Sequence, residues 1–364
     1  QSAGLDYGRA LSLREMARHY TELPKYLLAP EVAGLLHFVQ DWGQHAFFNT
    51  LWNTGARLNE GLALRRRDFH LNESIPHVVL RTAKQRRAGG GRPRKGKSAN
   101  RVVPLSDPAY VDEMRRLFAY LDQAEREALS GVHLVVCGHG TRSALGQRTM
   151  AALVDAIRSL APGPVHAASV DVQEPSADAV VGALPPDRPG VIQPLLLSTG
   201  YHTRVDLQNA ARRHPGLRRG HGMVVARALG PDPVLAALQV RRLREAGWSP
   251  EVEPGAVVMG AAGSSVTAGR RAAARQRDLL ADALGLPVHL GYGAGRPSIA
   301  EVVRAAGSEA DAVACSSYLL TPGTFQDRLA AAGPQRLAGP LVEAEDEAGL
   351  RAVALLALRR AAAA

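Results

Sequence analysis

The sequence is short of the residues that staple or anchor a chain. It has two cysteines, Cys137 and Cys315, both inside apolar, strand-like runs. They read as buried thiols of a reducing compartment, with a disulfide between them the less favoured alternative. No apolar run reaches about 18 residues, so no membrane-spanning helix and no membrane partner are expected. The opening stretch, QSAGLDYGRA, has neither a signal-peptide pattern nor an initiator Met. A start inside a longer reading frame, or a processed terminus, is expected, and the location expected is cytoplasmic. Acidic residues are also in deficit: 34 Asp and Glu stand against 44 Lys and Arg, a formal charge of +10. That balance favours polyanionic partners such as nucleic acid or a polycarboxylate ligand, and it says nothing about fold.

The chain has 364 residues, 46% of them hydrophobic. This is more than one compact core usually needs, so two or three domains are expected. The style changes near residue 128. Before it, LREMARHYTEL and PEVAGLLHFVQDW carry apolar residues near helical spacing. IPHVVLRTAKQ and RVVPL read as strands around a Gly/Arg/Lys-rich loop, and DPAYVDEMRRLFAYLDQAEREAL reads as a helix capped by Asp107 with Pro108 in its first turn. After Ser130, short apolar strands alternate with helical segments, from VHLVVCG and GQRTMAALVDAIRSL onward. Such alternation predicts βαβ units and a parallel sheet.

The order of segments then restarts. VVCGHGTRS begins at Val135 and VVMGAAGSS at Val257, which sets His139 on Ala261. EPSADAVV from Glu174 falls on RPSIAEVV from Arg296, and LLSTGYH from Leu196 on LLTPGTF from Leu319. A near-constant offset at three places marks a duplication of one α/β unit. Glycines and prolines survive in both copies: Gly138 with Gly260, Pro175 with Pro297, Gly200 with Gly323. The chemistry-bearing residues do not. His139 becomes Ala261, Glu174 becomes Arg296 and His202 becomes Phe325. One copy is expected to carry a site and the other to supply a wall.

His139 and His202 each follow an apolar strand, at the edge where ligands bind in open α/β sheets. Two imidazoles with the Glu174 carboxylate suit a divalent metal and leave coordination positions open. The alternative is a pair of ordinary loop histidines. VVCGHGTRS, EPS, PLLLSTGYHTRVDL and RALGPDP together resemble the sirohydrochlorin cobaltochelatase/ferrochelatase family, the class II chelatases in their long duplicated form, over about residues 131–345. The resemblance implies a lyase-type chelatase that inserts Co2+ or Fe2+, as substrate, into sirohydrochlorin without ATP or an organic cofactor. It implies His139 and His202 as the metal pair. Glu174 or a histidine would accept the pyrrole protons. Arg142 and Arg204 would meet the ring carboxylates, and Ser198, Thr199 and Gly200 would bind the substrate.

TLWNTGARLNEGLALRRRDF, at Thr50–Phe69, resembles the T-G-x-R-x-x-E signature of tyrosine recombinases (phage-integrase type), over about residues 22–122. The resemblance implies Arg57 as a phosphate-binding arginine, Glu60 as its acidic companion and Lys84 as the hairpin lysine. From Arg81 to Arg101 stand nine basic and no acidic residues, a candidate DNA-backbone contact. Before residue 130 the family's second arginine with its histidine, and its tyrosine nucleophile, are missing, so this part is expected to be a truncated core incapable of strand cleavage. The expected fold is α/β. A mainly α-helical recombinase-like fragment with a small β-hairpin occupies 1–127. Two duplicated, doubly wound parallel-sheet units follow, 131–250 with the metal site and 251–364 with a decayed one. The rival to a chelatase is a DNA-binding, recombinase-derived protein; a third reading is a metal- or tetrapyrrole-binding module without turnover.

Overall fold

The computed structural model describes residues 29–81, 100–198, 200, 205–250 and 255–364, together with isolated positions before residue 29. Contacts divide the chain into two compact units, Gln1–Asp122 and Gln123–Ala364.

The first unit holds α1 (Ala29–His37), α2 (Trp42–Thr54) and α3 (Leu58–Ala63), then strands β1 (Phe69–His70), β2 (His77–Arg81) and β3 (Asn100–Pro104). The strands form an antiparallel sheet in the order β1-β2-β3, so the expected hairpin gains a third, two-residue strand. Asp41 caps α2 by accepting from Gln44 N at 2.7 Å, and Gly55 ends the helix in the left-handed conformation at φ 57°. Helix α4 (Pro108–Ser130) starts as its sequence predicts: Asp107 accepts from Ala109 N at 2.9 Å. Val78 and Leu80 of β2 pack with Tyr110, Val111 and Met114 of α4 as the core of this unit.

The second unit contains two four-stranded parallel sheets. The first has β4 (His133–Gly138), β5 (Val165–Ser169), β6 (Gly190–Pro194) and β7 (Met223–Val225), in the order β5-β4-β6-β7. The second has β8 (Ala256–Ala261), β9 (Val288–Tyr292), β10 (Val313–Tyr318) and β11 (Arg336–Leu337), in the order β11-β10-β8-β9. Numbered within each half, both sheets read 2-1-3-4. The central strands β4, β6 and β10 are buried throughout, which explains their continuous apolar runs. Helices α5 (Ala144–Leu160), α6 (Ala177–Gly182), α7 (Asp206–Ala211) and α8 (Pro233–Glu245) belong to the first half. Helices α9 (Thr267–Leu284), α10 (Ile299–Glu309), α11 (Thr324–Ala331) and α12 (Glu347–Ala362) belong to the second. Ser143 caps α5, Ser176 caps α6 and Ser298 caps α10, each with its hydroxyl accepting from the N–H three residues on.

The structure corrects the register read from sequence. Leu134 pairs with Val165 and Val257 with Val288; His133 pairs with Gly190 and Ala256 with Val313. These ladders have the same spacing in both halves, and the left-handed glycines Gly140 and Gly263, whose Cβ would meet Asp171 O and Ala294 O, set the displacement of the second half at 123 positions, not 122. His139 O accepts from Asp171 N at 3.0 Å, and Ala262 O from Ala294 N at 2.8 Å. The structural partner of His139 is therefore Ala262, and that of Gly138 is Ala261. The sequence match had aligned glycine on glycine, whereas the backbone hydrogen bonds decide which residues are equivalent. At Ser176 and Ser298, which bridge to Ser169 and Tyr292, the displacement is 122. The second half thus lacks one residue in the loop after its second strand.

The last helix of each half packs on the other half. Helix α8 lies against α9 and β10, and α12 against α5 and β6. One apolar core therefore runs through both halves, joining Leu153 and Ile157 of α5 to Val353, Ala354 and Ala357 of α12, and Leu235 of α8 to Leu280 of α9. Buried polar groups follow the same exchange. Gln239 on α8 donates to Ser316 Oγ at 3.0 Å and accepts from Gln276 Nε2 at 3.0 Å. Arg360 on α12 pairs with Asp232 at 3.1 Å and donates to the carbonyls of Leu229 and Pro231.

At the amino edge of the first sheet, His133, His166 and His214 cluster. Ring centroids lie 5.4 Å apart for His133 and His166 and 6.4 Å for His133 and His214. His133 Nε2 lies 3.3 Å from Asp187 Oδ1, and His214 Nδ1 lies 2.9 Å from His221 O. Because a carbonyl only accepts, Nδ1 is the donor there. Burial holds His166 below the ordinary imidazole range, with the charges of His133 and Arg158 acting in the same direction. The unfolded chain therefore takes up protons that the fold resists. Stability is full above about pH 6.5, the unperturbed imidazole value, and declines as pH falls below it. We expect the urea midpoint of the α/β unit to drop between pH 7.5 and pH 5. We expect His166→Phe to flatten that slope; an unchanged slope in the variant removes His166 as its source.

Candidate functional site

A cleft of about 810 Å³ opens at the carboxyl edge of both sheets, between the two halves of the second unit. One wall comes from the first half. Gly138, His139, Gly140, Thr141 and Arg142 lead from β4 to α5, Ser169, Val172 and Gln173 follow β5, and Leu195–Ser198 and Gly200 follow β6. The other wall comes from the second half: Ala261–Ser265 after β8, Tyr292 at the end of β9, and Tyr318–Gln326 after β10. The lining is mostly apolar, with Met150, Leu195, Leu197, Leu320 and Phe325 beside the two tyrosines. Polar side chains stand on both walls, among them Gln173 and Ser198 on one and Ser264 and Gln326 on the other, as in a ligand pocket that is apolar in the main.

The two walls are fastened to each other. Tyr318 donates to Leu197 O at 2.9 Å, and burial pushes its phenol well above the ordinary range. A Cβ at Gly146 would lie 2.6 Å from Pro322 O, so the first turn of α5 meets the opposite wall closely.

The loop bearing His139 is tightly determined. Gly140 has φ 95°, and a Cβ built there would collide with Asp171 O. Gly263 repeats this in the second half, at φ 111° against Ala294 O. Only glycine fits either position. Gln173 Oε1 accepts from Thr141 N at 2.8 Å, and Gln147 Nε2 donates to Thr141 O at 2.8 Å. Val172, at the lip, has φ 70°, a strained conformation for a β-branched residue. Gly295 fills the left-handed place in the shorter loop of the second half, at φ 126°.

His139, Arg142, Ser198 and Gly200 all line the cleft, and His139 and Arg142 are exposed in it. Glu174 does not line it. Its carboxylate is exposed and accepts from Ser176 N at 2.8 Å, ahead of α6. His202, Thr199, Arg204 and Lys84 lie outside the described residues. Among the described residues no group of three His, Cys, Asp or Glu side chains could hold a metal ion. Gln173, Gln147 and Thr141 are not among the residues the sequence singles out; the one-residue length difference between the copies was a signal for Gln173 alone. The two thiols take no part in the cleft: burial pushes Cys137 and Cys315 each up to about 12.

In the first unit, Arg57 stands exposed as the N-cap of α3. Glu60 is buried and accepts from Arg57 N at 2.9 Å. Its carboxylate also lies 3.5 Å from Arg101, which donates to Gly55 O at 3.2 Å. The Thr-Gly-x-Arg turn is thus held from below by a carboxylate, with two guanidinium groups around it.

Residues 133–246 match the family model described as CbiX. The chain is similar in structure to SirB from Bacillus subtilis with Fe3+, at 19% identity and a TM-score of 0.51, covering 63% of this chain and 93% of that one. That likeness is one of fold. The N-terminal region is similar to a resolvase of Escherichia coli strain K12, 50% identical over 122 residues, which is 32% of this chain and 45% of the resolvase. It is also 41% identical over 129 residues to a probable site-specific recombinase in the afa region of Escherichia coli, covering 35% of this chain and 51% of that protein. The chain spans about half the length of these curated relatives. No described helix is long and apolar enough to cross a membrane. The chain therefore joins a recombinase-like N-terminal region to an α/β unit that matches the CbiX family model over residues 133–246 and has a fold like that of SirB.

Proposed function

We propose that the second unit is a sirohydrochlorin-type chelatase that takes Co2+ or Fe2+ as substrate and inserts it into a tetrapyrrole in the cleft. The observation that carries this is the asymmetry of the cleft: His139 and Arg142 stand on one wall, and the equivalent places on the other are Ala262 and Ser265. A ring laid against Leu195, Leu320, Phe325 and Tyr292 would bury its apolar faces, while Arg142 pairs with a carboxylate at its rim. His139, with His202, which follows β6 in the sequence, would present the ion through neutral imidazole nitrogens and leave positions for the ring nitrogens. The two pyrrole N–H protons leave as the ion enters, and would pass to solvent or to whichever of His139 and His202 has just released the ion. Glu174 accepts a backbone N–H outside the cleft lining, which favours a loop-ordering part for it over proton transfer. The histidine on one wall alone is what supports the chelatase reading.

The test is the absorbance change when Co2+ and sirohydrochlorin are mixed with the intact chain, with His139→Ala and with His202→Ala. We expect insertion above the spontaneous rate by the intact chain and a fall to that rate in both variants. Insertion untouched by either substitution would place the chemistry elsewhere. Bound metal without insertion would leave a binding module.

A second reading concerns the first unit. Its exposed Arg57 and Arg101 around the buried Glu60, with the likeness to resolvases, favour contact with DNA backbone. Binding to duplex DNA by residues of this kind should weaken steeply with salt, and Arg57→Ala with Arg101→Ala should lower the salt slope by about two.

A further inference from the structure

We propose that Gln173 is the positioning residue for the metal-bearing loop, a role that rests on the reading of His139 as a metal ligand. Three observations converge on it. The turn His139–Gly140–Thr141 is held at three backbone groups, two from the loop after β5 and one from α5: His139 O accepts from Asp171 N at 3.0 Å, Thr141 N donates to Gln173 Oε1 at 2.8 Å, and Thr141 O accepts from Gln147 Nε2 at 2.8 Å. The clamp is partly shared with the histidine-free half. There Arg270, the residue equivalent to Gln147, donates to Ser264 O at 3.1 Å, and Ser264 is the equivalent of Thr141. What the histidine-free half lacks is the extra residue in the loop after the second strand. That residue is what lengthens Val170–Pro175 relative to Gly293–Pro297 and sets Gln173 beside the cleft, behind a strained Val172 at φ 70°. Strain retained only beside the histidine, where the other copy uses Gly295, indicates that the loop's shape serves the site.

A metal ligand on a loop loses affinity when the loop samples other conformations, because only the competent fraction binds. Gln173 holds the backbone two residues beyond His139, and so restricts the direction in which the imidazole leaves the chain. Partners that orient a ligating histidine are worth about 10–100-fold in metal affinity. Gln173 touches neither metal nor ring in this account.

The experiment is a Co2+ titration of the intact chain followed by its visible absorption bands, with sirohydrochlorin absent. The variants are Gln173→Ala, Gln173→Glu and, as reference, His139→Ala. Gln173→Glu keeps an oxygen acceptor for Thr141 N–H. We expect Gln173→Ala to weaken Co2+ binding at least about tenfold with altered band positions, and Gln173→Glu to keep the parent spectrum and affinity. Should Gln173→Ala fail to fold, Gln173→Met, of similar volume and without an oxygen acceptor, takes its place. If His139→Ala abolishes the spectrum while Gln173→Ala and Gln173→Met leave it intact, the proposal is overturned and the metal site stands. If Gln173→Glu is as weak as Gln173→Ala, the hydrogen bond is not the cause and the proposal also fails. If His139→Ala changes nothing, the metal reading itself fails and the proposal falls with it.

Discussion

Asp346→Ala should lower the stability of the α/β unit by about 2–3 kcal/mol, through the lost helix cap and the charge-assisted hydrogen bonds from two arginines. Asp346 is the N-cap of α12 and accepts from Gly349 N at 2.9 Å. Its carboxylate also takes Arg241 on both oxygens and Arg242 at 2.7 Å, both from α8. The side chain of Arg242 is only 9% exposed, and Glu245 at 2.7 Å and Glu343 at 3.6 Å share its charge with Asp346, so the substitution weakens the network without leaving the guanidinium unpaired. Burial pushes the Asp346 carboxyl up, but the hydrogen bonds from Arg241 and Gly349, with the charge of Arg242, hold it below the usual carboxylate range. The sign follows: this contribution is present above the unfolded carboxylate value near 3.9 and is lost as pH falls through the lower folded one. Asp346→Asn should cost less than Asp346→Ala, because an amide oxygen still caps the helix. Urea unfolding followed by hydrogen exchange of the α12 and β4 amides measures it. A loss under about 1 kcal/mol would mean that the network is screened like a surface pair. The large value is expected because α8 and α12 are the two exchanged helices, and this carboxylate joins them.

Gly140→Ala is the second large effect, on activity more than on stability. Alanine at φ 95° costs about 1–3 kcal/mol in backbone strain alone. Its Cβ also meets Asp171 O, which cannot retreat without breaking the hydrogen bond from Asp171 N to His139 O. The loop must therefore move, and His139 with it. A displacement of about 1 Å costs a positioned group on the order of 100-fold, so metal insertion should fall by at least that. Gly263→Ala is the matched control. It suffers the same collision, with Ala294 O, on the wall that bears no histidine. It should lose similar stability and keep Co2+ binding. Equal loss of Co2+ binding in both variants would mean that the cleft collapses as a whole, and the separate role of the first wall would be disproved.

Much of the fold was legible in the residues. Alternating short apolar strands and helices, with glycines at strand ends, announced two parallel α/β halves, because strands buried on both faces must be apolar along their length. The restart at Val257 exposed the repeat. The loss of His139 from the second copy holds in either register, since both Ala261 and Ala262 lack a ligand. In the N-terminal region the order Thr54, Gly55, Arg57, Glu60 carried its own geometry: glycine ends a helix in the left-handed region, and an acid at the third helical position caps the next helix from its side chain.

The candidate site was less legible. Glu174 looked like a third ligand because it stands in a motif and is replaced in the second copy. The structure spends its carboxylate on Ser176 N and lines the cleft with its neighbour Gln173 instead. Composition alone does not separate these two adjacent residues, since one step along a loop reverses which side chain faces the ligand.

By itself the sequence determined the composition of each strand and helix, the duplication, and which copy kept a histidine, because all three are properties of residue order. Only the tertiary structure decided the register of 123, the crossing of α8 and α12 onto the opposite halves, and the glutamine clamp on Thr141. Those depend on hydrogen bonds and contacts between segments far apart in the chain. A one-residue slip or a swapped helix leaves local propensity unchanged, and only packing and paired backbone groups distinguish the alternatives.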